Sequence, residues 1–209
     1  MKFSVRDSVK WSIFIAGVSF ILACIFSVTS TTLLGGVSWG IGMCVVFMLI
    51  LVGIFFDVMG LSAAAANETP FHAMASEKVH GARQAIGIVR NADRFSNFCN
   101  DVIGDICGVI SGAAGALVVL KLLVSMNAEN SVLTTVVSVV FAGIVSALTV
   151  GGKAMGKSFA IHYSTEIVLT IGKFFYLIEH HLGIRIFNAK KNKSSKNGKR
   201  GNKRAARSN

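Results

Sequence analysis

The apolar residues of this chain come in blocks, not at the 3.6- or two-residue spacing of a half-buried helix or strand, and each block is roughly 20 residues long. A run of that length is what an α-helix needs to cross a hydrocarbon core. Composition agrees: 53% of the 209 residues are apolar, only 15% are charged, and there are 15 Phe, 21 Gly and one Pro. A soluble domain of this size requires far more polar surface. The expected fold class is therefore all-α, a polytopic helical membrane protein with about four transmembrane helices plus interfacial amphipathic helices.

The first block covers residues 11–34. Lys2, Arg6 and Lys10 precede it, as in a signal peptide, and ILAC ending at Cys24 resembles a lipobox. The apolar run continues past Cys24, so retention as a membrane anchor is expected. Gly35 and Gly36 turn the chain into a second span, residues 38–63, uncharged until Asp57. Thr69 before Pro70 reads as an N-cap with proline at the first helical position. A single helix over residues 70–89 would align Phe71, Met74, Val79, Ala82, Ile86 and Val89 and lie near the interface. A new helix is expected near Asp93, running into a third span over 102–125. Gly108 with Gly112, and Ser111 with Gly115, have the small-xxx-small spacing that lets helices approach closely in lipid. Lys121, near the far end, is expected to snorkel to the headgroups. After a turn at 126–130 comes the fourth span, 132–150, with Gly151 and Gly152 expected to end it. Residues 159–186 carry His162, Glu166, Lys173, Glu179, His180 and His181, too many polar groups for a crossing, and read as an interfacial helix. Residues 1–186 thus form one helical membrane domain.

The formal charge of +11 is concentrated in the tail: residues 190–209 hold nine of the 21 Lys and Arg and no acid, leaving a net of +2 for the remainder. Residues 187–209 read as a disordered basic tail, since the stretch 190–209 lacks apolar groups to pack. Anionic lipid is its expected partner, at roughly 1 kcal/mol per charge near a surface. Residues 190–209 have no aromatic side chain for base stacking, so nucleic acid is not expected. A plain topology anchor accounts for it equally well. Lys and Arg also occur before the first span and across residues 64–104, but not in the turns at 35–37 and 126–130. That asymmetry places a multi-pass protein in the cell membrane with both N- and C-termini cytoplasmic.

No HExxH, GxSxG, GxxxxGK[ST] or GxGxxG occurs in its proper context, so an enzyme is the weakest class and no cofactor is expected. Cys24, Cys44, Cys99 and Cys107 lack metal-ligand spacing and are expected to be reduced. The informative groups are Asp57, Asp101 and Asp105, the acids nearest the apolar blocks, with Asn100 and also Asn67 and Asn97 as neutral oxygens. Asp101 and Asp105 are four apart, which on an α-helix puts both on one face. Hard cations such as Mg²⁺ want oxygen ligands, and ionisable groups at bilayer depth are functional candidates. Pairing of these acids with Arg83, Arg90, Arg94 or Lys153 in the headgroup layer is the plainer alternative.

From Phe55 to Gly115 the sequence resembles the CNNM/CorB-type transmembrane domain of proteins linked to Mg²⁺ and Co²⁺ transport. A Phe-Phe start runs into small residues, here FFDVMGLSAAAA. A basic helix of GxxxAxxAL form and an Asn-Asp-Arg-Phe-like turn follow, matched in GARQAIGIVRNADRF by Gly81, Ala82, Ala85, Ile86, Asn91, Asp93 and Arg94. Gly104, Asp105 and Gly108 correspond to a GNxxxN helix start, and GKAMGKSFA, residues 152–160, to GExxPKxxA. The likeness covers roughly residues 50–185; the first block is an addition, and no CBS-pair domain is present. The resemblance implies a divalent-cation substrate and a homodimer, with Asp105 keeping an oxygen ligand where the family has Asn and Gly108 supplying none. The family's Glu is Lys153 here and its Pro is Gly156, and a lysine in a cation site repels the ion or neutralises an acid.

Two readings follow. One is a protein that transports or senses Mg²⁺ or Co²⁺; the other is a non-transporting membrane adaptor or scaffold of the same fold, with a lipid- or partner-binding tail. They separate on geometry. Carboxylates facing one cavity with Lys153 turned away favour transport, whereas an ion pair between Lys153 and Asp101 or Asp105 favours the adaptor.

Overall fold

A computed structural model describes residues 5–126 and 131–182; the basic tail and the turn at 127–130 lie outside the described residues. The described chain is helical throughout: α1 (Val5–Gly35), α2 (Trp39–Ala65), α3 (Thr69–Ser76), α4 (Ala82–Arg90), α5 (Ala92–Asn97), a π-helical stretch (Phe98–Gly104), α6 (Asp105–Ser125), α7 (Ser131–His162) and α8 (Ser164–Leu182). Four segments are long and apolar enough to cross a membrane: Ser12–Gly35, Trp39–Ala65, Ala92–Ser125 and Ser131–His162. This is the expected all-α polytopic membrane architecture. Phe20, Val28, Val109, Val124 and Val139 stand exposed on its flanks, as side chains facing lipid tails do.

α2 is the central helix. It runs antiparallel to the third span, with Gly42 against Val118, Gly53 against Cys107, and Gly60 against Asn100 and Cys99. It runs parallel to α7, whose Gly152 and Gly156 abut Ile54 and Val58. Leu34, Val46, Ile50, Ala114 and Val118 fill one end of the bundle, while Val102, Ile106 and Ile110 receive Ile15, Leu22 and Phe26 of α1.

The fourth span differs from its expectation: α7 continues through Gly151 and Gly152 for 32 residues. Inside lipid a backbone that leaves the helix has no water to bond, which outweighs glycine's poor helix propensity. Gly152 and Gly156, four apart, serve instead as a packing face. Of the small-residue pairs expected in the third span, Ser111 and Gly115 face inward, Gly115 against Phe141, whereas Gly108 and Gly112 have nothing within 4 Å of a Cβ position.

Lys121 finds partners within the protein: its ammonium donates to the carbonyls of Leu34, of Gly35 at 3.2 Å and of Val37 at 2.9 Å. The last carbonyls of a helix lack intrahelical partners and carry the negative end of the helix dipole, so a cation from α6 is a fitting cap for α1.

The expected helix over 70–89 is two helices. α3 ends in a Schellman arrangement, with Val79 N–H donating to Met74 C=O at 2.9 Å and Lys78 N–H to Ala75 C=O at 3.3 Å. Lys78 takes the left-handed conformation at φ 62°, and Gly81 follows at φ 85°. Thr69 is the first residue of α3, with Glu68 at the cap. Glu68 then joins the two helices, accepting from His72 at 2.7 Å and from Arg90 at 2.6 Å. The His72 and Arg90 hydrogen bonds hold its carboxyl below the usual carboxylate value.

The two helices pack with α8 under the end of α2. Phe71, Ala85, Ile88, Val168 and Ile171 bury against Ala63. α4 and α8 cross with backbones in contact, because a Cβ on Gly172 would meet the Gly81 carbonyl and Ala85 amide, and one on Gly81 would meet Lys173. The interfacial helix expected over 159–186 begins at Ser164, since Phe159–His162 still belong to α7.

Two substitutions test these contacts. Lys121→Met leaves three carbonyls without their cation and should lower stability by about 1–3 kcal/mol, measured by reversible unfolding in mixed micelles. Gly172→Ala forces two backbones apart and should cost about 1–3 kcal/mol, with faster amide exchange in α4 and α8 than in α2.

Candidate functional site: an ion triad shared by three helices

Asp57 lies eight residues before the end of α2, about 12 Å along the helix axis, inside the membrane-spanning part. A carboxylate there is costly unless paired. Its partner is Lys153 of α7, whose ammonium stands 3.0 Å from Asp57 Oδ2 and donates to Asp105 Oδ1 of α6 at 3.3 Å. Side-chain exposure grades across the triad, 8% for Asp57, 21% for Lys153 and 68% for Asp105. The buried end is the Asp57–Lys153 pair, and Asp105 forms the mouth. Two carboxylates and one ammonium leave one negative charge in surplus.

Two glycines make the room. A Cβ at Gly104 would collide with Asp57 Oδ1, and one at Gly60 with Asn100 Oδ1. Asn100 donates from Nδ2 to Ser96 Oγ at 3.2 Å, but its amide oxygen is buried without a hydrogen-bond partner. Nearly all buried polar atoms in proteins are satisfied, so this oxygen is distinctive. Asn100 meets α2 one turn beyond Asp57, and the π-helical stretch spans the gap from Asn100 to Gly104. π-helical turns inside α-helices recur at functional sites.

Of the four residues expected at the site, Asp57 and Asp105 are brought together and Asn100 lies one turn away. Asp101 is exposed and makes no ion pair among the described residues. The spacing of four that put Asp101 and Asp105 on one face presumes α-helical turns, and Asp101 sits in the π-helical stretch. Of the basic residues weighed as partners, Arg90 is engaged by Glu68, and Lys153 is the one that pairs with the acids. Gly60 and Gly104 were not legible as site residues: a glycine whose only task is to vacate space carries no local signal. Among the described residues no group of three or more His, Cys, Asp and Glu gathers in metal-ligand geometry. Cys99 and Cys107 are buried near the triad, Cys24 and Cys44 are exposed on the spans, and all four are free thiols.

The coupling is measurable. Lys153→Met strands a buried carboxylate and should cost about 3–5 kcal/mol. Adding Asp57→Asn should recover at least about 1 kcal/mol, since the two changes share one interaction.

No protein family, curated protein or solved structure matches the chain. What stands is a multi-pass helical membrane protein in which a buried Asp57–Lys153 pair and an exposed Asp105 join three of its spans.

Proposed function

We propose that this chain is a non-transporting membrane adaptor or scaffold on a CNNM/CorB-like transmembrane unit, its cation site held closed by Lys153. The observation that carries this is the Lys153 ammonium lying between Asp57 and Asp105, at 3.0 and 3.3 Å, where a transported cation would have to sit. The same geometry favours the adaptor over an autonomous transporter. Lys78, Arg83, Arg90 and Lys173 lie at the end of the bundle built by α3, α4 and α8. The positive-inside rule then supports a cytoplasmic platform and cytoplasmic termini, with the basic tail available to anionic lipid.

Divalent-cation transport or sensing is the second reading. The surplus negative charge and the unpartnered Asn100 oxygen favour it, because Mg²⁺ and Co²⁺ take carboxylate and amide oxygens.

Flux of Mg²⁺ and Co²⁺ into proteoliposomes holding the folded chain distinguishes the two. The closed site predicts no flux above empty vesicles. Flux abolished by Asp57→Asn with Asp105→Asn would overturn the adaptor and establish a carboxylate-lined path.

A further inference from the structure

We propose that the Lys153 ammonium is a tethered stand-in for a metal cation, and that its charge rather than its bulk decides whether a divalent cation enters between Asp57 and Asp105. The inference rests on the reading of these carboxylates as a cation-binding pair.

Three observations converge. The ammonium comes from α7, whereas the carboxylates come from α2 and α6, so a single positive charge sits where three spans meet. A lysine present only to neutralise Asp57 would need one carboxylate; this one also reaches the exposed Asp105, and the group keeps a net negative charge. The Asn100 oxygen, one turn from Asp57, is sealed from solvent with no donor, in space that Gly60 leaves open. A metal ion accepts amide as well as carboxylate oxygens as ligands, and the ammonium, already shared by two acids, makes no hydrogen bond to this one.

The tether sets the competition. Lys153 is always present at high effective concentration, so an entering ion has to outcompete it. A monovalent ion brings the same charge as the ammonium and gains little. A divalent ion doubles the attraction to both carboxylates, an advantage that grows in a low-dielectric setting. The site is therefore weak and divalent-selective with Lys153 in place, and strong without its charge.

The test uses the full chain in nanodiscs, with Co²⁺ absorption and Mg²⁺-dependent thermal unfolding as readouts for wild type, Lys153→Gln and Lys153→Arg. Lys153→Gln is expected to bind Co²⁺ at least about tenfold more tightly than wild type. Lys153→Arg, which keeps the charge, is expected to show no such gain. Equal binding by Lys153→Gln and Lys153→Arg would overturn the proposal. Should Lys153→Gln fail to fold unaided, its recovery is compared in Mg²⁺, Co²⁺ and Na⁺. Rescue by the divalent ions alone supports the stand-in role, and no rescue while Lys153→Arg folds normally removes it. The functional reading is judged separately. Flux through wild type with unchanged binding in Lys153→Gln would leave transport standing and discard this role for Lys153. Co²⁺ binding by Lys153→Gln with no flux through either protein would do the reverse.

Discussion

A charge inside a bilayer has to be paired, and the pairing of Lys153 with Asp57 and Asp105 is the constraint around which this bundle is arranged. The three side chains come from α7, α2 and α6, so their contact ties together the three spans that form the centre of the molecule. At the opposite end Lys121 solves the same problem differently. It spends its donors on the uncapped carbonyls at the end of α1, and so fastens the outermost helix to α6. Two lysines, near opposite ends of the bundle, thus define how four spans meet.

Packing between those contacts follows from the solvent. Lipid offers apolar helices no hydrophobic reason to associate, so close approach through small residues takes over. Gly152 and Gly156 bring α7 onto Ile54 and Val58, Gly115 admits Phe141, and Gly42 admits Val118. Glycine has the opposite use beside the polar groups. Gly60 and Gly104 vacate the volume occupied by the Asn100 oxygen and the Asp57 carboxylate, so the close packing of α2 on the third span and the geometry of the triad are one feature.

The platform of α3, α4 and α8 extends this economy to the bundle's end. Phe71, Ile88 and Val168 bury beneath α2, and the Gly81–Gly172 crossing locks α4 to α8. Because α2 carries both Ala63 in that platform and Asp57 two turns earlier, the same helix links the platform to the ion triad.

The sequence by itself determined the solvent, and with it the class of fold. Uninterrupted apolar blocks leave a backbone no alternative but helices in lipid, and four of them were legible to within a few residues at most ends. It also pointed to Asp57, Asp101 and Asp105, the acids nearest such blocks, while Lys153 came to notice through the family resemblance and as one of four possible partners. The interruptions and the pairing were decided only by tertiary structure. Nothing local says that Lys78 will take a left-handed conformation, that Gly151 will stay helical, or that a π-helical stretch will part Asp101 from Asp105. Those outcomes depend on what a neighbouring helix offers: a carbonyl, a gap or a counter-charge. Spacing along one chain cannot state which side chains from three helices will share a single ammonium, because that is a property of how the helices meet.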